Sequence, residues 1–336
     1  MNPKFYDDKN CRWNYNSDIM AVQQEAFDFK KAHKIQSSGA DRTKIHLLLI
    51  DVQKDFCFKE GTLYVGGRTG DGAIEDSKRI AQFIYRNVDR LTEISTTLDT
   101  HFSHQIFFPW FWLDVNDNPL QPHTVISSAD VKSGKYKPDP AIASWICNGN
   151  YPWLVSYATH YCEQLEKSGK YQLYLWPPHC LLGGEGHSLV GIIHEARMFH
   201  SFVKGSNSNS EIKGGHPLTE NYSVFSPEVL VRQDGQPLAQ KNKRFIETLW
   251  QSDAVLIAGQ AASHCVKSSI DDFLSEILIK DPSLAKKVYI LEDCMSSVVI
   301  PGVVDFTDQA NDALKKFQSA GMKLVKSTDS LDQILK

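Results

Sequence analysis

Short apolar runs alternate along this chain with longer stretches in which apolar positions recur every three or four residues. Continuous apolar runs suit strands buried on both faces, and the longer pattern suits amphipathic helices. Their alternation predicts a parallel sheet covered by helices. Strands are expected at Ile45–Asp51, Ile94–Asp99, Tyr171–Leu175, Ser201–Lys204, Ala254–Ala258, Val288–Leu291 and Met322–Lys326. Helices are expected at Ile74–Leu91, Ala239–Gln251, Cys265–Ile279 and Asp305–Ser319, the last with Phe306, Ala310, Ala313, Leu314 and Phe317 on one face. The fold class is therefore α/β, a three-layer α/β/α arrangement around a mostly parallel sheet.

Two stretches break the alternation. His104–Lys170 carries Phe107-Phe108-Pro109-Trp110-Phe111-Trp112 and one helical run, Trp153–Lys167. So many aromatic residues are not left in water, so a folded lid or oligomerisation region is expected at about 105–170, inserted after the second strand. Gly205–Asp234 is rich in Ser, Asn and Gly and reads as a loop. Residues 1–44 form a polar N-terminal extension with room for one helix, ahead of a single domain over 45–336.

Composition narrows the function. Across 336 residues, 36 basic and 40 acidic side chains leave a net charge of -4 with no basic stripe, which argues against nucleic-acid and membrane-surface partners. The cysteines number seven, with no Cys-x-x-Cys pair, so neither a disulfide framework nor a cysteine zinc site is indicated. The first residues lack a signal-peptide core, and no apolar run approaches the roughly 18 residues of a membrane span. A cytoplasmic protein of a reducing compartment is expected.

Candidate chemistry gathers at strand ends. Ala254–Ala258 runs into Gly259-Gln260-Ala261-Ala262-Ser263-His264-Cys265, placing Cys265 where a helix begins above the sheet. The helix N-terminus there favours thiolate, although a lone cysteine is more often structural. Asp51 closes the first strand, where desolvation raises a carboxyl pKa and suits it to proton transfer; a turn cap is the plainer alternative. Asp99 and His101, two apart in an extended segment, share a face and can grip one ion. His179 of Trp176-Pro177-Pro178-His179 adds a second imidazole, giving an open site for Zn²⁺ or Fe²⁺, with Mn²⁺ a further candidate. His104 is an alternative or additional ligand. Lys204 ends the expected strand Ser201–Lys204, where its ammonium would stand beside Asp51 and Cys265.

In this order, Asp51, Asp99-x-His101, Trp176-Pro-Pro-His179, Lys204 and Cys265 resemble the isochorismatase-like cysteine hydrolases, and within them the nicotinamidases. The words Asp51-Val-Gln-Lys-Asp-Phe56, Gly61-Thr-Leu-Tyr-Val65 and Tyr222-Ser-Val-Phe225 support the likeness. The resemblance implies an Asp51–Lys204–Cys265 triad and a divalent metal on Asp99, His101 and His179. It implies a carboxamide substrate whose pyridine ring sits among Phe56, Trp176 and Tyr222. It also implies a cis peptide before the nucleophile, at Ala261–Ala262, and an oxyanion held by the amides of Ala262 and Cys265. The metal set favours an amidase over an enol-ether hydrolase, acting as a homo-oligomer on nicotinamide. The chain exceeds the usual length of that family, and the aromatic insertion follows the metal motif directly, so it is expected to border the site and to narrow it or admit a larger amide.

Rival readings are a Cys265–His264 dyad, disfavoured because neighbours at a helix start do not face one another, and a serine hydrolase, for which no Gly-x-Ser-x-Gly elbow exists. Dinucleotide binding lacks its Gly-x-Gly-x-x-Gly. Two alternatives stay open: a related amidase acting on another, larger carboxamide, and a catalytically silent scaffold.

Overall fold

A computed structural model describes residue 3, residues 5–167 and residues 171–335. Small parts of the expected N-terminal extension (residues 1, 2 and 4) and of the expected insertion (168–170) lie outside the described residues, as does Lys336.

Six parallel strands make the central sheet: β1 (Ile45–Ile50), β2 (Glu93–Asp99), β3 (Asn209–Lys213), β4 (Ala254–Gly259), β5 (Val288–Leu291) and β6 (Lys323–Val325). Their order is β6-β5-β4-β1-β2-β3, with every pair parallel. β1 and β4 are buried along their whole length, as expected for central strands covered on both faces. β3 is different. Its sequence Asn-Ser-Glu-Ile-Lys is mostly polar, and as an edge strand it pairs only with β2 and leaves Ile212 69% exposed.

The helices are α1 (Ile19–His33), α2 (Gly72–Arg86), α3 (Tyr151–Lys167), α4 (Gly191–Lys204), α5 (Lys243–Trp250), α6 (Lys267–Lys280) and α7 (Thr307–Ser319), with shorter turns between them. α1 starts at Asp18, whose carboxylate accepts the amides of Met20 and Ala21 at 3.0 and 3.2 Å. α1 and α2 both pack on α4. Side chains on β2 separate the layers. Thr96 meets Arg197 of α4, whereas its neighbour Ser95 meets His46, whose ring faces Phe245 of α5. Since adjacent strand residues point to opposite faces, α4 and α5 cover opposite sides of the sheet.

The expected strand Ser201–Lys204 is the last turn of α4. Ile192, Ile193, Ala196, Phe199 and Val203 are buried at helical spacing, and Gly205 ends the helix in the left-handed region at φ 62°. Tyr171–Leu175 yields only the short strand Leu173–Tyr174, which pairs with Val125–Ile126 outside the central sheet. The Ser/Asn/Gly-rich stretch after residue 205 is not all loop, since it contains β3.

The aromatic insertion is folded inward. Phe107, Phe108, Phe111 and Trp112 are fully buried, and the Phe107 carbonyl accepts the Trp176 amide at 2.9 Å. None of the described helices is long and apolar enough to cross a membrane.

Candidate active site

The chain leaves β1 toward β2 and β3, then crosses back to place β4 on the other side of β1. This reversal opens a crevice at the carboxyl ends of the strands, where α/β sheets bind ligands. Asp51 follows β1, Asp99 ends β2, Lys213 ends β3, and Cys265 lies in the turn after β4.

Lys213 organises the cluster. Its ammonium lies 2.9 Å from Asp51 Oδ2, 2.9 Å from Asp99 Oδ1 and 3.6 Å from Cys265 Sγ, and it donates to the Asn221 carbonyl at 2.8 Å. Burial alone would favour the neutral amine, but the carboxylates of Asp51 and Asp99 outweigh it and favour the charged ammonium. Gly214 follows at φ 86°, and a Cβ there would come within 2.6 Å of the His101 ring.

This corrects the sequence expectation for Lys204. At the end of α4, Lys204 pairs with Asp41 at 2.8 Å and donates to the Asp89 carbonyl at 2.9 Å. It anchors the segment before β1 and belongs to a different neighbourhood from Cys265.

Asp51 is fully buried in the left-handed region at φ 46°; its amide donates to Thr97 Oγ1 at 2.9 Å, and the same hydroxyl returns a bond to the carboxylate. Burial raises the Asp51 carboxyl pKa, and Lys213 opposes that rise. Burial likewise pushes the Cys265 thiol well up despite Lys213, and a hydrogen bond to Asp51 adds to the rise. Burial and Asp51 thus work against the thiolate that a helix N-terminus favours, while Lys213 works for it.

Around Cys265, residues Ala262–Val266 form a wide π-type turn that leads into α6. The cis peptide joins Gln260 to Ala261, one residue earlier than expected. The Ala262 amide is committed to the Ser296 carbonyl at 2.7 Å. Ala261, not Ala262, lines the cavity in front of the sulfur.

Asp99, His101 and His179 present ligand atoms within 4.8 Å of one another, all three residues buried. Both Nε2 atoms converge on Asp99 Oδ2, at 2.8 Å from His101 and 3.4 Å from His179. The other ring nitrogens meet carbonyls, His101 Nδ1 that of Gly214 at 3.1 Å and His179 Nδ1 that of Pro177 at 2.7 Å. Carbonyls only accept, so each Nδ1 carries the proton and each Nε2 turns a lone pair toward the carboxylate. A cation at that point satisfies all three groups, and the donor set fits a divalent metal ion. Phe107 and Phe108 pack against both imidazole rings, so the insertion does border the site. His104 stands apart, its ring 6.4 Å from that of Trp145 and outside the cluster.

Between sulfur and imidazoles lies a cavity of about 420 Å³, counting its open mouth. Phe56, Trp176 and Tyr222 all line it, and Trp176 Nε1 donates to the Tyr222 hydroxyl at 2.7 Å. His264 lines it too, with its ring edge-on to Trp176 rather than serving the thiol. Burial lowers its pKa to about 4.

No family model and no curated protein sequence matches the chain. Solved structures do. The yeast nicotinamidase bound to the inhibitor nicotinaldehyde aligns over 84% of this chain and 99% of its own, with a TM-score of 0.50 and 18% identity. A nicotinamidase/pyrazinamidase from Acinetobacter baumanii aligns over 85% and 98%, with a TM-score of 0.48 and 18% identity. The zinc complex of the Pyrococcus horikoshii pyrazinamidase gives 84%, 99%, 0.45 and 17%. The fold is thereby the isochorismatase-like α/β type, similar to that of nicotinamidases.

Proposed function

We propose that this protein is a cysteine amidohydrolase of nicotinamidase type, converting nicotinamide and water to nicotinate and ammonia. One observation carries the reading. A thiol, a buried carboxylate and an ammonium meet at the sheet's carboxyl edge, facing an aromatic cavity whose far wall is Asp99–His101–His179.

In this reading Cys265 Sγ attacks the amide carbon as Asp51 takes the thiol proton and passes it to the departing nitrogen, releasing ammonia. The amides of Cys265 and Ala261 serve the oxyanion, since that of Ala262 is occupied. Water then attacks the thioester with Asp51 again as base, freeing the carboxylate and restoring the thiol. Lys213 keeps Asp51 anionic between the steps and steadies negative charge on sulfur. A divalent ion, Zn²⁺ or Fe²⁺ before Mn²⁺, supplies a Lewis-acidic contact for a ring nitrogen when bound. Trp176, Tyr222 and Phe56 hold the ring flat, so this end of the cavity contributes positioning.

The test is ammonia release by metal-replete protein from nicotinamide and a panel of larger carboxamides. Release from nicotinamide is expected, and Cys265→Ala should abolish it while leaving metal content intact. Silence across the panel, or turnover by Cys265→Ala, contradicts the assignment.

A further inference from the structure

On the α4 side of the sheet lies a second cleft, about 910 Å³ counting its open side. None of the described residues lining it is acidic, although the chain as a whole carries more acidic than basic side chains. Its polar lining includes Lys54, His187, His194, Arg197 and the hydroxyl of Ser17, over an apolar floor of Ile19, Leu98 and Leu189.

Arg197 is the telling residue. Its Nη1 donates to two neutral hydroxyls, Thr96 Oγ1 at 3.0 Å and Ser210 Oγ at 2.8 Å. Its Nε is buried without a partner, as is the Ser17 hydroxyl oxygen. Burial lowers the Arg197 pKa, and no carboxylate among the described residues offsets it. Burial first, and then the Arg197 charge, lowers the pKa of His194, one turn earlier on α4. Lys54, by contrast, has its carboxylate, Glu185, at 3.0 Å. A partly desolvated guanidinium with no counter-charge is unfavourable, and its planar fork of donors matches an oxyanion.

We propose that this cleft is a binding site for a small organic oxyanion. Its phosphate or carboxylate pairs with Arg197 and His194, and its apolar body rests on Ile19, Leu98 and Leu189. The site rests on no part of the proposed reaction. Hydrogen bonds do link it to that site, since His187 Nε2 meets Thr100 Oγ1 at 2.8 Å and the His187 carbonyl accepts Gln53 Nε2 at 2.9 Å. Gln53 in turn brackets the Asp99 backbone with two bonds of 2.8 Å.

The experiment is calorimetric titration and thermal melting of the full chain with butyl phosphate, butyrate and inorganic phosphate, against sodium chloride at matched ionic strength. Saturable one-to-one binding is expected for at least one organic anion, with a rise in Tm. The tighter of butyl phosphate and butyrate assigns the anionic group. Arg197→Gln should weaken that binding at least tenfold. Ser210→Asp, which places a carboxylate beside the guanidinium, should raise Tm without ligand and abolish the ligand response. Equal responses to butyl phosphate, butyrate and chloride overturn the proposal, as does wild-type binding by Arg197→Gln. Should Arg197→Gln fail to fold, an undiminished ligand response in Ser210→Asp overturns it instead.

Discussion

Two buried lysines, nine residues apart, invite comparison. Lys204 and Lys213 each place an ammonium against one aspartate and one backbone carbonyl, at 2.8 and 2.9 Å for Lys204 and at 2.9 and 2.8 Å for Lys213. Each is followed by a glycine with positive φ. Lys204 ends there, as an anchor between α4 and the segment before β1. Lys213 also reaches a second carboxylate and a thiol, beside a cavity. A buried ion pair is often only structural. Unlike titratable groups converging at a sheet's carboxyl edge are what chemistry requires.

Three predictions press on this difference. The largest concerns the lysines' acidic partners. Asp51→Asn should lower turnover by roughly 10³-fold or more, since the proton-transfer group is lost. Asp41→Asn should leave turnover within about twofold, an effect of the size expected away from the reacting atoms. Parallel steady-state ammonia assays check both.

Next comes Asp55, which touches no reacting group. Its carboxylate accepts the amide of Cys180 at 2.7 Å and that of Thr62 at 3.1 Å, fixing the loop that carries His179. Asp55→Asn should weaken metal affinity by roughly 10–100-fold, as expected when support behind a ligand is removed. Metal titration with a competing chelator measures this.

The smallest effect is on stability and involves His46 and His200, both held neutral by burial at about 4. Their folded pKa values lie below the unfolded value of about 6.5. Their contribution is therefore whole above about pH 6.5 and is lost as pH falls toward 4, because only the unfolded chain takes up those protons. Each is worth on the order of 3 kcal/mol. Urea unfolding of the wild type should show this decline, and His200→Gln, which can still reach the Leu91 carbonyl now bonded at 2.9 Å, should flatten part of it.

What the amino-acid order revealed follows the same physics. β1 and β4 are largely apolar because they are covered on both faces, and β2, though rich in Ser and Thr, keeps Ile94 and Leu98, so Asp51, Asp99 and Cys265 could be placed at strand ends. β3 gives no such signal, because an edge strand needs few apolar residues. Lys213 was therefore hidden in a polar stretch, and the apolar Phe202-Val203 before Lys204 imitated a strand. The helical spacing of Ile192, Ala196, Phe199 and Val203, closed by Gly205, was the available clue. The basic cleft was not legible at all, since Ser17, Arg197 and Ser210 meet only through the packing of α4, β3 and the segment that leads into α1.

Ammonia release from nicotinamide by Lys213→Met and Lys204→Met, assayed side by side with unfolding curves, tests the central claim most directly. Both variants strand a carboxylate and should lose about 3 kcal/mol of stability. Turnover should collapse by roughly 10²–10⁴-fold in Lys213→Met alone, with Lys204→Met near wild type wherever it is folded. A folded Lys213→Met that turns over like the wild type, or a Lys204→Met that is folded and inert, would contradict the account.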